Sequence, residues 1–463
     1  MRWSVLAGSV FACLVGCAGA ARPSVKLYES GDYAGAANAA DQGLAAHPDD
    51  EGLWQMRVRS ALAIGDAAGV AKAYASYREH LHDDDRDLVR ELAIATLGQA
   101  LEAPAIKLKL AAIDAVVAAE LEPLADPVAR RMTDDDDRVV AAASIAVLRG
   151  DPRAAGNAGE MLHSESAEAR RIVVDGIGKK VGALALADLE KAANDPDARV
   201  RQTAIRWLGQ LRDKDAVAIL TMRIHDGDEA VRAASASALA KIGLGNLGAL
   251  GGQAIQDPAL AVRLAGIELL VATHGLGTAQ LTKLVDDPDP VVATEAAIAL
   301  GGGDRAAAAI GRAAAADAWE LRAGAANLAT RALGKSGAAA LAHSLIKDSE
   351  PRVRLAAARA LAHDGLAGDD KAAAEIYAEL MNSDNGALFV EAATAAAEQG
   401  TPAGLAALDK AVRELAQPAD RVAAAAGHAS AHRITPGLVA ALADPNGLVR
   451  VAAAAALALL TKN

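Results

Sequence analysis

Asp195-Pro196-Asp197-Ala198-Arg199-Val200-Arg201 is the stretch that decides the fold. It returns as Asp226-Gly227-Asp228-Glu229-Ala230-Val231-Arg232 and again as Asp257-Pro258-Ala259-Leu260-Ala261-Val262-Arg263. The Val-Arg pairs fall at 200/201, 231/232 and 262/263, a period of 31 residues. Each copy is an Asp-rich turn, an apolar-basic pair and an alanine-rich stretch. Its apolar residues follow helical spacing, as in Val200, Ala204, Trp207, Leu208 and Leu211. A fixed period of this length marks a stacked helical solenoid, in which each unit buries its apolar face against its neighbours.

Outward from these copies the apolar-basic anchor can be followed in both directions. It falls at Leu108-Lys109, Val139-Val140, Ala169-Arg170, Val292-Ala293, Leu321-Arg322, Val353-Arg354, Phe389-Val390, Val422-Ala423 and Val449-Arg450. With the first three copies this predicts about twelve helix pairs over 99–463, with an insertion near Gly365–Asp370. Four residues before the basic position lie Asp136, Ser166, Asp197, Asp228, Asp289 and Asn446, side chains that cap helix N-termini. Pro290 and Pro351 stand at the favoured first helical position. Two residues before the cap come Asp134, Asp195, Asp226, Asp257, Asp287, Asp348 and Asp444, several followed by a helix-stopping proline. Gly178, Gly209 and Gly301 share one position and are expected to close the first helix. Second helices follow, such as Ala216–Ile224 and Ala338–Lys347. The fold class is therefore all-α, an α-α superhelix.

The pattern resembles the short HEAT-like repeats of the family first seen in phycobilin lyases, most closely from 160 to 360. The resemblance implies a right-handed superhelix with second helices lining the concave face. Layers about 8–10 Å apart would make an arc on the order of 100 Å, suited to holding a partner along its length. The repeated Arg170, Arg201, Arg232, Arg263, Arg322, Arg354 and Arg450 are read as ties to turn carboxylates, with breaks at Val140, Ala293, Val390 and Ala423. Exposed pairs of this kind are weak singly, so packing has to supply most of the stability.

Residues 25–98 carry a different period. Gly31-Asp32-Tyr33 recurs as Gly65-Asp66-Ala67, and Asp49-Asp50 as Asp83-Asp84, both 34 residues on. The segment resembles a tetratricopeptide repeat. Gly31 allows the turn between helices, Ala36 permits a close crossing and Pro48 ends the second helix. In the second copy Val70 and His82 replace the small residue and the proline. Residues 85–98 read as a third first helix or as a cap on the next array. Trp54, Tyr33, Tyr74 and Tyr77 are assigned to the core.

The N-terminus reads as a targeting segment. Arg2 precedes an apolar run, Trp3 to Val15, that is short for a bilayer span. Leu14-Val15-Gly16-Cys17 resembles a bacterial lipobox, in which cleavage before the Cys leaves its thiol to carry diacylglycerol. The expected organisation is a signal peptide at 1–16, a tether at 17–24, the helical hairpins at 25–98 and the array at 99–463, with lipidation at Cys17. Cleavage after Ala18-Gly19-Ala20 is the competing reading and leaves a soluble periplasmic or secreted chain. Cys13 and Cys17 are the only cysteines, so either cut leaves a body without a free thiol, as an oxidising compartment favours. Ala18 after the Cys implies, by the Gram-negative sorting rule, an outer-membrane anchor facing the periplasm. Such a lipidated Cys would hold the chain at the membrane without a spanning helix.

Composition narrows the function. Hydrophobic residues make up 52% and aromatics 2%, so the apolar mass is small and aliphatic, which excludes disorder. The formal net charge is −12, which disfavours nucleic acid as a partner because that interaction needs a basic surface. Catalytic signatures are absent: no His-Glu-x-x-His, phosphate loop or dinucleotide fingerprint occurs. His80 and His82 before Asp83-Asp84-Asp85, and His428 with His432 one turn on, are the candidate metal ligands; capping and core roles are preferred for both. Asp134–Asp137 lacks the spacing and glycine of a calcium loop. Trp207 and Trp319 are placed on first helices, Trp207 in a core position. Neither a metal nor a cofactor is expected. The leading expectation is a non-catalytic, protein-binding scaffold of the bacterial cell envelope; the alternative is an accessory enzyme resembling a chromophore lyase. The sequence does not indicate which face binds. DNA-repair glycosylases built on similar repeats are disfavoured by the charge and the export signal.

Overall fold

The computed structural model describes residues 19–273, 278–364 and 369–462. Cys17 and the residues before it lie outside that range, as does most of the segment where an insertion was expected. Among the described residues every regular element is a helix. In chain order they are α1 (Arg22–Glu29), α2 (Tyr33–Ala46), α3 (Glu51–Ile64), α4 (Ala67–Leu81), α5 (Arg86–Leu101), α6 (Ile106–Ala118), α7 (Ala125–Arg130), α8 (Asp137–Ala146) and α9 (Pro152–Met161). Then come α10 (Ala167–Lys180), α11 (Leu186–Ala192), α12 (Ala198–Gln210), α13 (Val217–Arg223), α14 (Glu229–Ile242), α15 (Gly248–Ala254), α16 (Leu260–Ala272), α17 (Thr278–Leu284) and α18 (Pro290–Ala299). The chain finishes with α19 (Asp304–Ala314), α20 (Trp319–Leu345), α21 (Pro351–Asp364), α22 (Asp369–Leu380), α23 (Gly386–Glu398), α24 (Pro402–Glu414), α25 (Pro418–Ser430), α26 (Pro436–Ala440) and α27 (Gly447–Leu460). Two compact units divide them. One joins the chain up to Val139 with Ala378 onward; the other is Val140–Tyr377. Neither boundary falls at 98/99.

In the Val140–Tyr377 unit the expected alternation is present. The anchors lie in first helices α10, α12, α14, α16, α18, α20 and α21. Gly334 (φ 67°, ψ 177°) breaks α20 into a first helix and a second helix, because that backbone leaves the helical region. The caps form as read: the side chains of Ser166, Asp197, Asp228 and Asp289 accept first-turn amides, and Pro290 and Pro351 begin their helices. Val173, Val200, Val231 and Val262, with Leu189, Leu208, Leu220, Leu239 and Leu269, form one continuous buried core from layer to layer.

One expectation is corrected here. Gly178 and Gly209 do not end their helices; α10 runs on to Lys180 and α12 to Gln210. They are contact points. A Cβ on Gly178 would lie 2.3 Å from Cγ of Trp207, and one on Gly209 would lie 2.6 Å from Cα of Ala238. The missing side chains let α10, α12, α14 and α16 pack directly on one another, whereas α11, α13 and α15 pack on first helices and hardly on each other. The tight side of this stack is therefore the first-helix side.

In the other unit α1 to α4 form antiparallel hairpins whose turns are set by Gly31 (φ 85°) and Gly65 (φ 83°). Asp32, Asp50, Asp66 and Asp85 cap α2 to α5. Ala36, Val70, Tyr74 and Tyr77 are buried, while Trp54 and Tyr33 are half-buried. The C-terminal helix α27 packs against α25, α5 and α6. Helix α5 thus lies between α27 and α6, the position a second helix holds between consecutive first helices. The carbonyls at the end of α27 are met by Arg86 Nη2 to Leu460 O (2.8 Å) and Arg90 Nη1 to Ala458 O (3.4 Å).

The repeat register also changes in this unit. The cap of α23 is Asn385, so its anchor is Leu388-Phe389, one residue before the expected pair. In α25 the position after Gln417 places Arg421 on the ladder, two residues before Ala423. The expected break at Ala423 does not exist.

Candidate functional site

The arginines that recur with the period are the most conspicuous polar feature, and their geometry repeats. Arg170 donates through Nε and Nη2 to both oxygens of Asp195 (2.8 and 2.8 Å). Arg201 does the same to Asp226 (3.0 and 2.7 Å), Arg232 to Asp257 (2.8 and 3.0 Å) and Arg322 to Asp348 (2.7 and 2.9 Å). In the other unit Arg421 holds Asp444 (2.9 and 3.1 Å), and Lys109 reaches Asp134 (2.6 Å). The remaining amino group of each arginine turns back to its own turn, as Arg201 Nη1 does to the carbonyls of Asp195 and Pro196 (2.9 and 3.0 Å). Each arginine therefore joins two consecutive turns.

The acceptor aspartate has a second task. Oδ1 of Asp195, Asp226, Asp257, Asp287, Asp348 and Asp444 accepts the amide two residues on, which fixes the turn before the cap. The Arg232 fork holds Asp257 below the ordinary carboxylate range, and Arg322 does so for Asp348. Charge-assisted, bidentate bonds are the strong kind. Burial makes them matter more: Arg201 and Asp226 keep only 13% and 4% of their side-chain exposure. The ladder is thus less solvated than the sequence alone suggested.

A second set of ties on the first helices was not read from the sequence. Asp175 on α10 pairs with Arg206 on α12 and accepts Trp207 Nε1 (2.9 Å). Ser237 donates to Glu268 (2.8 Å), and Arg331 pairs with Glu295 (2.7 Å). The spacing of 31 between 175 and 206, and between 237 and 268, was the available signal, but the residue types change at each step.

The candidate metal ligands are occupied otherwise. His80 Nε2 meets Asp49 Oδ1 at 2.9 Å and its ring stacks on Trp54. His82 ends α4 in the left-handed region (φ 60°). The acidic run beside them anchors tyrosines: Asp84 accepts Tyr74 and Asp85 accepts Tyr77, each at 2.9 Å. Burial pushes both phenols up. His428 is fully buried, its Nδ1 on Ala424 O (2.9 Å) and its Nε2 on Thr435 Oγ1 (3.0 Å), while His432 is exposed in the following turn. The two do not face a common point. Among the described residues no three His, Cys, Asp or Glu side chains gather as metal ligands. Asp134 and Asp136 belong to the turn before α8 and Asp137 is its first residue, with Asp136 bonded to Arg138. Trp319 lies under the Arg352 guanidinium (4.8 Å). A cavity of about 370 Å³ opens beside the ladder; its charged lining, Asp226, Arg232 and Asp257, is the ladder itself.

Residues 157–243 match the family model of HEAT repeats. They are α10 to α14 with part of α9, the stretch where ladder, caps and close-packing glycines are all present. No curated protein matches the chain. Among solved structures, the complex of CpcE and CpcF of phycocyanin lyase from Nostoc sp. PCC7120 is 17% identical with a TM-score of 0.24, covering 65% of this chain and 94% of that one. The Escherichia coli protein YibA is 16% identical with a TM-score of 0.30, covering 62% and 96%. An engineered protein is 20% identical with a TM-score of 0.31, covering 87% and 98%. Likenesses of this depth do not extend to function.

Proposed function

We propose that this chain is a non-catalytic, protein-binding scaffold of the bacterial cell envelope, tethered by a lipid on Cys17. One observation carries the scaffold reading: the ionisable side chains that recur with the period join layer to layer, as Arg201 does with Asp226. Recognition is then left to the side chains that differ between repeats. The N-terminal hairpins, read as tetratricopeptide-like, add a second helical surface suited to a protein partner. A formal charge of −12 favours basic or neutral proteins over nucleic acid. Envelope placement rests on the lipobox-like Leu14-Val15-Gly16-Cys17, and the outer membrane on Ala18.

Crosslinking of the native protein in intact envelopes, followed by identification of the captured chains, tests the scaffold reading. Recurrent capture of the same envelope protein supports it; turnover of a small molecule by the purified chain would defeat it. Fractionation of Cys17→Ser tests the tether. Release from the membrane fraction is expected, and full retention would remove the lipid anchor from the proposal.

A further inference from the structure

The Val140–Tyr377 unit is not uniformly tied. Between α16 and α18 the Arg263 fork stays 3.8 Å from both Asp287 and Asp289, and its buried Nε has no hydrogen-bond partner. Between α18 and α20 the ladder tie is missing at both ends, which leaves the more exposed fork of Arg331 on Glu295 (2.7 and 2.9 Å) as the ion pair joining these two helices. Ala293 occupies the arginine position, four residues after the cap Asp289, and Ala316 occupies the aspartate position, two before the cap Ala318. Helix α18 touches α16 and α20 directly far more sparingly than α14 touches α12 and α16, so this layer is joined to α20 chiefly through α19, which packs against both.

The core changes at the same place. Up to Leu269 it is one continuous body in which leucine, valine and isoleucine outnumber alanine, and between α16 and α18 it is Ile255, Ile267, Leu270, Leu281, Leu284 and Val292 with Ala296. From α18 to α20 the buried cluster is Ile310 with seven alanines, from Ala297 to Ala338, edged by the half-buried Ile298, Leu328, Leu333 and Leu341. Cohesion scales with the apolar area removed from water, so an alanine seam holds its layers less firmly than a leucine seam. The turn after α18 is Gly301-Gly302-Gly303, with φ of 101°, 74° and 69°, a backbone able to absorb rotation at low cost.

We propose that the seam between α18 and α20 is a flexure, the place where this stack changes its curvature. Bending there alters the spacing between the faces on either side, and a partner spanning the seam would select one curvature. Elements of low local cohesion are the ones that move first.

Spin labels separate this from a uniform rod. In the full chain with Cys13→Ser and Cys17→Ser, one labelled pair is Lys283→Cys with Ala340→Cys, on the second helices α17 and α20 across the seam. The control pair is Lys191→Cys with Gln253→Cys, on α11 and α15, separated by the same number of layers. The distance distribution across the seam should be at least about twice as wide as the control. Ala293→Arg with Ala316→Asp supplies the missing tie and should narrow it towards the control. Equal widths in the parent chain would overturn the flexure, and that comparison stands even where the tied variant does not fold. So would an unchanged width in a tied variant with native helix content.

Discussion

Arg201 grips both carboxylate oxygens of Asp226, 25 residues ahead, while also bonding the carbonyls of its own turn. Removing it leaves a carboxylate at 4% exposure with Arg223 Nη1, 3.2 Å from Oδ2, as its remaining cationic partner. Breaking one side of a buried pair costs about 3 kcal/mol, well above the value of an exposed ion pair, and Arg223 offsets part of that. Arg201→Ala should therefore lose about 1–3 kcal/mol of local stability, read as faster amide exchange in α12 and α14. Arg201→Lys should recover only part, since an ammonium cannot supply the two-pronged contact. Arg263→Ala, whose fork is already 3.8 Å from its acceptors, should cost less than Arg201→Ala. Equal exchange in Arg201→Ala and the parent chain would mean that the ladder contributes nothing.

Acid should loosen the protein in two steps of the same sign. Burial depresses His428 from its usual 6.5, so the folded chain holds a neutral imidazole, although the hydrogen bond to Ala424 O and the charge of Asp409 favour the charged form. That stability is present above pH 6.5 and is lost as pH falls below it, because the unfolded chain binds the proton first. Asp257 and Asp348 are held below 3.8, so their contribution persists above that value and disappears as pH falls through the depressed values. Melting temperature should decline between pH 7 and 5, and His428→Asn should flatten that decline without altering the second loss, which lies below pH 3.8. A parent chain with a level melting temperature from pH 7 to 5 contradicts the first step.

Much of this fold was legible because its devices are local. A cap such as Asp197 bonds amides two and three residues away, and an anchor such as Val200 is buried by the same helix in every repeat. Features that depend on a neighbouring layer were read less well. Gly178 and Gly209 look like helix stops in a sequence, and only the proximity of Trp207 and Ala238 shows them to be contacts. Arg421 was hidden because Gln417 replaces the usual cap and Asp420 stands where an apolar residue precedes the other arginines. The packing of α27 on α5 joins residues more than 350 positions apart and carries no periodic mark. For the binding surface no residue could be named, since what varies between repeats has no period to follow.

Two glycines on first helices should respond with opposite sign. A Cβ at Gly209 meets the backbone of Ala238 at 2.6 Å, so even alanine forces α12 and α14 apart. Gly209→Ala should destabilise by about 1–3 kcal/mol despite alanine's helix preference. Gly324, inside α20, has nothing within 4 Å of an added Cβ. Gly324→Ala should stabilise by roughly 0.5–1 kcal/mol. Thermal unfolding of the two variants measures both, and a stabilised Gly209→Ala would mean that the tight side of the stack has been misplaced.

The end of α27 offers the sharpest test of how the terminal segments hold each other. Its last turn leaves carbonyls that no following helix residue can satisfy, and Arg86 and Arg90, one turn apart on α5, supply the donors to Leu460 and Ala458. Cationic donors at a helix C-terminus contribute about 0.3–1 kcal/mol each. Arg86→Ala with Arg90→Ala should therefore fray α27 while leaving α12 and α14 as protected as before. Deleting 447–463 should go further, because it uncovers the faces of α5 and α6 that α27 buries, including Leu108 beside Gly447. Amide exchange should then rise in α4, α5 and α6 as a group. Exchange confined to the residues next to the cut would show that the N-terminal hairpins stand without α27, and α5 would then be a cap on α6 alone.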